Sequence, residues 1–315
     1  MSLQDLKATP ARTRTEPAAF TVSGVPLAGD LHLPVGHRPG ERLPAVLVGG
    51  SWTTVRQQMA TVYARRLAER GFAALAFDYR HYGGSGGEPR QYESHEHKID
   101  DLRGAAAWLA ANPAVDAERV GGLAVCASAG YMAHAVAAGA PLRAWATVAA
   151  WMHDPSTVGL FYGGDGGVER RVALGRAARE KWERTGVADY APAYNPENPD
   201  AAMFFPIDYY ARPERGAVPE WENRFAVMGW EPWLAFDALA PAESIRIPTL
   251  QVHSDGCALP DNVRRFQRAL AGPKELVWME DGEQTDFYDL DPFVSRATEV
   301  VDAFFREMLS VRGTP

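Results

Sequence analysis

Cysteine is scarce in this chain: 315 residues contain two, Cys126 and Cys257. Two are too few for a disulfide framework and fit a reducing compartment. Long apolar runs are missing as well. No stretch approaches the ~20 apolar residues of a membrane helix, and the start, Met-Ser-Leu-Gln-Asp-Leu-Lys, has no apolar core of the signal-peptide kind. Basic residues are outnumbered, 32 Lys and Arg against 40 Asp and Glu, for a net charge of −8. That balance argues against a nucleic-acid or anionic-membrane partner. There is no internal repeat, P-loop, dinucleotide fingerprint, CxxC or flavin motif, so no organic cofactor is implied. Histidine runs out early: of eight, none follows His253. These absences lead to the expectation of a cytoplasmic protein, and they leave homodimerisation open.

What is present reads as an α/β chain. Residues 1–17 are polar and contain proline, which predicts a loose arm. Alternating runs at Ala19–Val22 and Gly29–Leu33 predict an antiparallel pair. Buried-strand runs follow at Pro44–Val48, Ala73–Phe77, Val120–Val125 and Ala144–Ala149. Helical patterns separate them at Val55–Arg70, Lys98–Ala111 and from Ala129 onward. The rhythm breaks between His153 and Ala240, a stretch rich in tryptophan and proline with one helical pattern at Gly167–Thr185. It resumes with a strand at Ile247–His253, a helix at Asp261–Ala271, a strand at Glu275–Met279 and a closing helix at Pro292–Leu309. Strands alternating with helices predict a mostly parallel sheet. The expected domains are a core from residues 1–152 and 241–315 and a mainly helical cap inserted at 153–240.

The most informative segment is Gly122-Leu-Ala-Val-Cys-Ala-Ser-Ala-Gly130. A buried strand runs into Ser128 among small residues and then into a helix, which is the context of a nucleophile elbow, G-x-S-x-G. Cys126 stands where the first glycine is expected. The plain alternative is a serine in a small-residue turn. The Ala129 N–H, at the helix start, is one expected oxyanion donor. The second comes from Gly49-Gly50-Ser51-Trp52, with the Ser51 N–H as first choice and Trp52 next.

Taken together, GGSW (49–52), FDYRHYGGSGGEPR (77–90), KIDDLRGAAAWL (98–109), CASAGY (126–131), VHSDGCALP (252–260) and DFYDLDP (286–292) resemble the α/β-hydrolase fold. The likeness is to its esterase-like and polyketide-transferase-like branch, which carries a helical cap. It covers roughly residues 17–310 and implies ester or thioester hydrolysis, or acyl transfer.

The family order of Ser, acid, His implies Asp255 as the acid. The histidine position, just before Asp-Phe-Tyr-Asp, holds Gln284. A neutral amide cannot take the serine proton, and losing the base of a triad costs on the order of 10⁶ in kcat. Three explanations stay open: an inactivating His-to-Gln replacement, a non-hydrolytic enzyme (cyclase, lyase or isomerase) using the oxyanion hole and Gln284, or a silent binding protein. His153 and His81 are substitute bases by position. Among the cap aromatics, Tyr209 and Trp230, with Trp52 and His153 from the core rim, are expected to wall an apolar or aromatic small-molecule pocket. No histidine spacing recurs as a metal-ligand set.

Overall fold

A computed structural model describes residues 13–310. Most of the expected arm therefore lies outside the described residues. Its last five residues do not form an arm: β1 (Thr13–Val22) begins at Thr13 and pairs antiparallel with β2 (Val25–Pro34). Charge and Pro17 made this stretch look irregular, but an edge strand tolerates both.

β3 (Leu43–Gly49), helix α1 (Met59–Ala68), β4 (Ala73–Phe77) and α2 (His95–Ala111) follow. After them come β5 (Val115–Val125), α3 (Ser128–Ala137) and β6 (Ala144–Val148). Every residue of β4 and β6 is buried. This is why their sequences, AALAF and AWATV, carry no polar alternation: a parallel sheet is covered on both faces. Neighbouring glycines in β5 show the two layers. A Cβ on Gly121 would meet Phe305 of the closing helix α6 (Phe293–Met308), and one on Gly122 would meet Met132 of α3. Successive strand residues point to opposite faces, so α6 and α3 lie on opposite sides.

The segment 149–248 leaves the sheet. It holds α4 (Gly164–Thr185), several helical turns and a two-stranded ribbon of β7 (Tyr190–Ala191) and β8 (Phe225–Ala226). The chain then re-enters the sheet as β9 (Thr249–Gly256), continues through α5 (Pro260–Ala269) to β10 (Lys274–Glu283), and ends with α6. The sheet order is β1-β2-β4-β3-β5-β6-β9-β10, parallel from β4 to β10.

The inserted segment is tied down through His153, which is buried. Its Nε2–H donates to the Trp233 carbonyl at 2.9 Å, and its Nδ1 accepts from the Trp151 indole N–H at 3.0 Å. Those roles require the neutral ring. Burial pulls the His153 pKa from 6.5 down to about 4. An unfolded chain therefore binds a proton below pH 6.5 that the folded chain refuses, so this contribution to stability is complete above 6.5 and lost as the pH falls toward 4. Replacing His153 with Asn should flatten the fall in unfolding free energy between pH 6.5 and 4 by about 3 kcal/mol, read from urea titrations across that range. His32 and His253, each pulled down to about 4, and His81, pulled down to about 3, contribute to the remaining slope, as do His95 and His97, which burial also lowers. An unchanged slope in the variant would mean that the ring is hydrated.

Candidate active site

β3 and β5 are parallel neighbours whose pairing runs to Gly49 opposite Ala124. The loops leaving them therefore enter the same space, at the C-terminal edge where α/β sheets build their sites. β5 ends at Val125. The next residue, Cys126, has φ 57°, in the left-handed region that costs a side-chain-bearing residue about 1–3 kcal/mol. Helix α3 starts two residues later at Ser128. The sharp turn of the elbow thus falls on Cys126. The flanking small positions, two residues either side, are Ala124 and Ser128.

Ser128, the residue expected to face a cavity, does not line one. Ser128 is fully buried. Its hydroxyl donates to the Gly50 carbonyl, and it accepts from the Tyr79 hydroxyl at 2.7 Å. A Cβ on Gly49 would lie 2.9 Å from the Ser128 Cβ, so only a glycine there lets the two chains meet so closely. Cys126, not Ser128, lines the cavity above.

That cavity is about 480 Å³, within the usual size for a small-molecule site. Its apolar walls include Trp151, Phe161, Tyr162, Phe205 and Tyr210, and Trp52 stacks on Trp233 at 4.3 Å and 18°. Burial pushes the Cys126 thiol up from its ordinary value. Four groups against the sulfur pull the other way: the Ser51 and Tyr288 hydroxyls and the backbone amides of Ala127 and Trp52. All four are hydrogen-bond donors. The Ala129 amide, expected as an oxyanion donor, is spent on the Cys126 carbonyl at 3.0 Å. On the other loop Ser51 and Trp52 both line the cavity beside Cys126.

Gln284 does reach the site. Its Nε2 donates to the Ala149 carbonyl at 2.7 Å and to the Tyr288 hydroxyl at 3.1 Å, while its Oε1 accepts from the Ala258 N–H at 2.9 Å. It meets Cys126 through Tyr288 and has no contact with Ser128. Asp255 stands apart from both. Its side chain is 73% exposed and paired with Arg264 at 2.7 Å, because β9 continues through it and turns the carboxylate outward. The hydrogen bond from Arg264 holds that carboxyl below its ordinary range. Gln284 therefore has no carboxylate behind it.

Of the four residues expected to wall the pocket, Trp52 does so. Tyr209 packs on Tyr288 of the core and Trp230 on Phe225 of the inserted segment, and Tyr210 and Trp233 take the cavity positions. His153 anchors the insertion instead, and its pairing leaves it no lone pair for a substrate. His81 pairs with His97 at 2.9 Å away from the cavity. Among the described residues no histidine lines the cavity, and no group of His, Cys, Asp or Glu is arranged to hold a metal. No helix among them is long and apolar enough to cross a membrane. Sequence reasoning missed Cys126 and Tyr288. The signal for Cys126 was its place directly after the strand.

Residues 23–180 match the family described as X-Pro dipeptidyl-peptidase (S15 family). Uncharacterized protein PA2218 of Pseudomonas aeruginosa is 32% identical over 276 residues, covering 84% of this chain and 73% of that protein. The crystal structure of PA2218 superposes with a TM-score of 0.81 over 95% of each chain. A thiohydrolase, aneE of Aspergillus aculeatus, is 33% identical over 110 residues, about a third of each chain. The α/β hydrolase GrgF from Penicillium sp. sh18 superposes with a TM-score of 0.80 at 20% identity, over 95% of this chain and all of that one, and so speaks for the fold. The mostly parallel eight-stranded sheet, the elbow after β5 and the match over half its length place this chain in the S15 family of α/β-hydrolase-fold proteins.

Proposed function

We propose that this chain is an acyl-transfer enzyme that takes an apolar or aromatic acyl group from an ester or thioester onto Cys126. The observation that carries the reading is the position of Cys126, at the strained turn directly after β5 and in the lining of the cavity. In this scheme Sγ adds to the substrate carbonyl. The oxygen becomes an anion facing the Trp52 and Ala127 amides, which stabilise it in a water-poor setting. The sulfur adds as its thiolate, the proton having been released to water, and collapse expels a thiolate or activated alkoxide that is protonated from water according to its own pKa. Water accepts and returns the proton, which is compatible with a site lacking imidazole.

The same balance sets the substrate class. A thiolate or an activated alkoxide leaves unaided, whereas an amide nitrogen must be protonated as it departs. Thioesters and activated esters suit this cavity, and peptide bonds do not, despite the family's name. The thiohydrolase relative supports the thioester reading, although it matches a third of the chain. In the second step a thiol acceptor supplies its own thiolate fraction, while water without a base attacks slowly. The reading therefore favours transfer over hydrolysis.

Mixing the chain with p-nitrophenyl butyrate should give a burst of nitrophenolate close to one equivalent, followed by slow turnover. Cys126→Ala should abolish the burst, and Ser128→Ala should leave its amplitude intact. A burst that survives Cys126→Ala would end this reading. Millimolar 2-mercaptoethanol should raise the slow phase by about tenfold or more by accepting the acyl group. A slow phase indifferent to thiol would assign the second step to water.

A further inference from the structure

A buried polar cluster behind the elbow is not used by the chemistry above. At its centre is Glu93, which has no exposed surface. One carboxylate oxygen accepts from the Tyr131 hydroxyl at 2.7 Å. The other accepts from the Tyr82 hydroxyl at 2.7 Å, from Lys98 Nζ at 2.8 Å and from the Thr53 N–H at 3.4 Å. Placing an ion pair in a protein interior is expensive and adds little net stability over an apolar filling. The positions of the partners suggest what this one does instead.

Thr53 directly follows Trp52, which lines the cavity together with Cys126, and Thr53 itself sits at φ 57°. Gly50, two residues before Trp52, is held through its carbonyl by the Ser128 hydroxyl. The Trp52 amide is thus fixed from both sides. Both anchors lead to the same helix: Ser128 is the first residue of α3, and Tyr131, which holds the other end of Glu93, lies one turn on. The opposing amide, that of Ala127, immediately precedes this helix.

We infer that Ser128 and Glu93 are positioning residues that together set the gap between the Trp52 and Ala127 amides, one strut on each side of the loop. The inference rests on the acyl-transfer reading, because it assigns those amides to an oxyanion. It also gives Ser128 a role: its hydroxyl spans the two loops of the site without touching the substrate. The close approach it requires depends on Gly49, where an added Cβ would meet the Ser128 Cβ at 2.9 Å.

The test compares two reactions at one sulfur. Acylation by p-nitrophenyl butyrate develops an oxyanion and needs both amides. Alkylation by iodoacetamide displaces iodide at a saturated carbon and develops no oxyanion, so it registers the amides only through the thiolate fraction that both reactions share. Rates are measured in the full chain, acylation from the nitrophenolate burst and alkylation from the Cys126 peptide by mass spectrometry. Ser128→Ala and Glu93→Gln should each slow acylation by about 10- to 100-fold, as expected for a displaced oxyanion donor, and slow alkylation by at least about fivefold less than that. Tyr131→Phe, which deletes one hydroxyl and no packing volume, should give a smaller loss in the same direction and serves if Glu93→Gln does not fold.

Equal losses in both reactions would mean that the variants disturb the thiol itself and would overturn the proposal, as would acylation rates unchanged in all three. In the unaltered chain, no burst at Cys126 removes the acyl-transfer reading and the struts with it. A normal burst that the variants leave unchanged removes the struts alone.

Discussion

Two parallel strands that end at the same level must send their chains through one small volume, and the site depends on how that is done here. β3 and β5 are in register to Gly49 and Ala124. Beyond that point one chain turns sharply at Cys126 while the other passes within van der Waals reach of Ser128. Small residues at Gly49, Ala124 and Ser128 make the crossing sterically allowed. Once it is made, Trp52 and Cys126 line one cavity without further design. The strain at Cys126 is therefore compensated by the strand pairing beneath it and by the hydrogen bonds either side of Trp52.

The chemistry of the pocket follows from the composition of its floor. Donors surround the sulfur, and the position where the fold usually offers a base holds an amide fixed to two backbone groups and a phenol. Gln284 satisfies its carbonyl with the Ala258 amide and its NH₂ with Ala149 and Tyr288. It is therefore a structural clamp between the loops after β6, β9 and β10. Family membership fixes the scaffold, and the side chains on that floor decide which bonds the scaffold can break.

The sheet was legible because burial on both faces erases polar alternation. A run such as AALAF has few alternatives once helical periodicity flanks it. The elbow was less so. Ala-Val-Cys-Ala-Ser and Cys-Ala-Ser-Ala-Gly overlap by three residues, and both offer small neighbours two positions either side of a nucleophile. A serine beside a glycine looks like the commoner motif. What separates the two readings is the strand end, and strand ends are the least certain part of any sequence reading. Asp255 failed for a related reason. β9 runs past it to Gly256, and in an extended strand one residue decides whether a carboxylate faces the site or the solvent. Gln284 lines the cavity beside the Asp-Phe-Tyr-Asp turn, but its partners are Ala149, Ala258 and Tyr288, with neither Ser128 nor Asp255 among them. The cap aromatics divided by a single position, Tyr210 rather than Tyr209, which a stretch without clear periodicity does not reveal.

Trp52 belongs to two parts of the molecule at once. Its backbone leaves β3 beside the turn at Cys126, and its indole stacks on Trp233 of the inserted segment, with Phe225 and Trp230 behind. A few covalent bonds join these two roles. A change in ring size near Trp233 therefore bears on the loop that borders Cys126, and the insertion is tied to the cavity more closely than a surface loop would be.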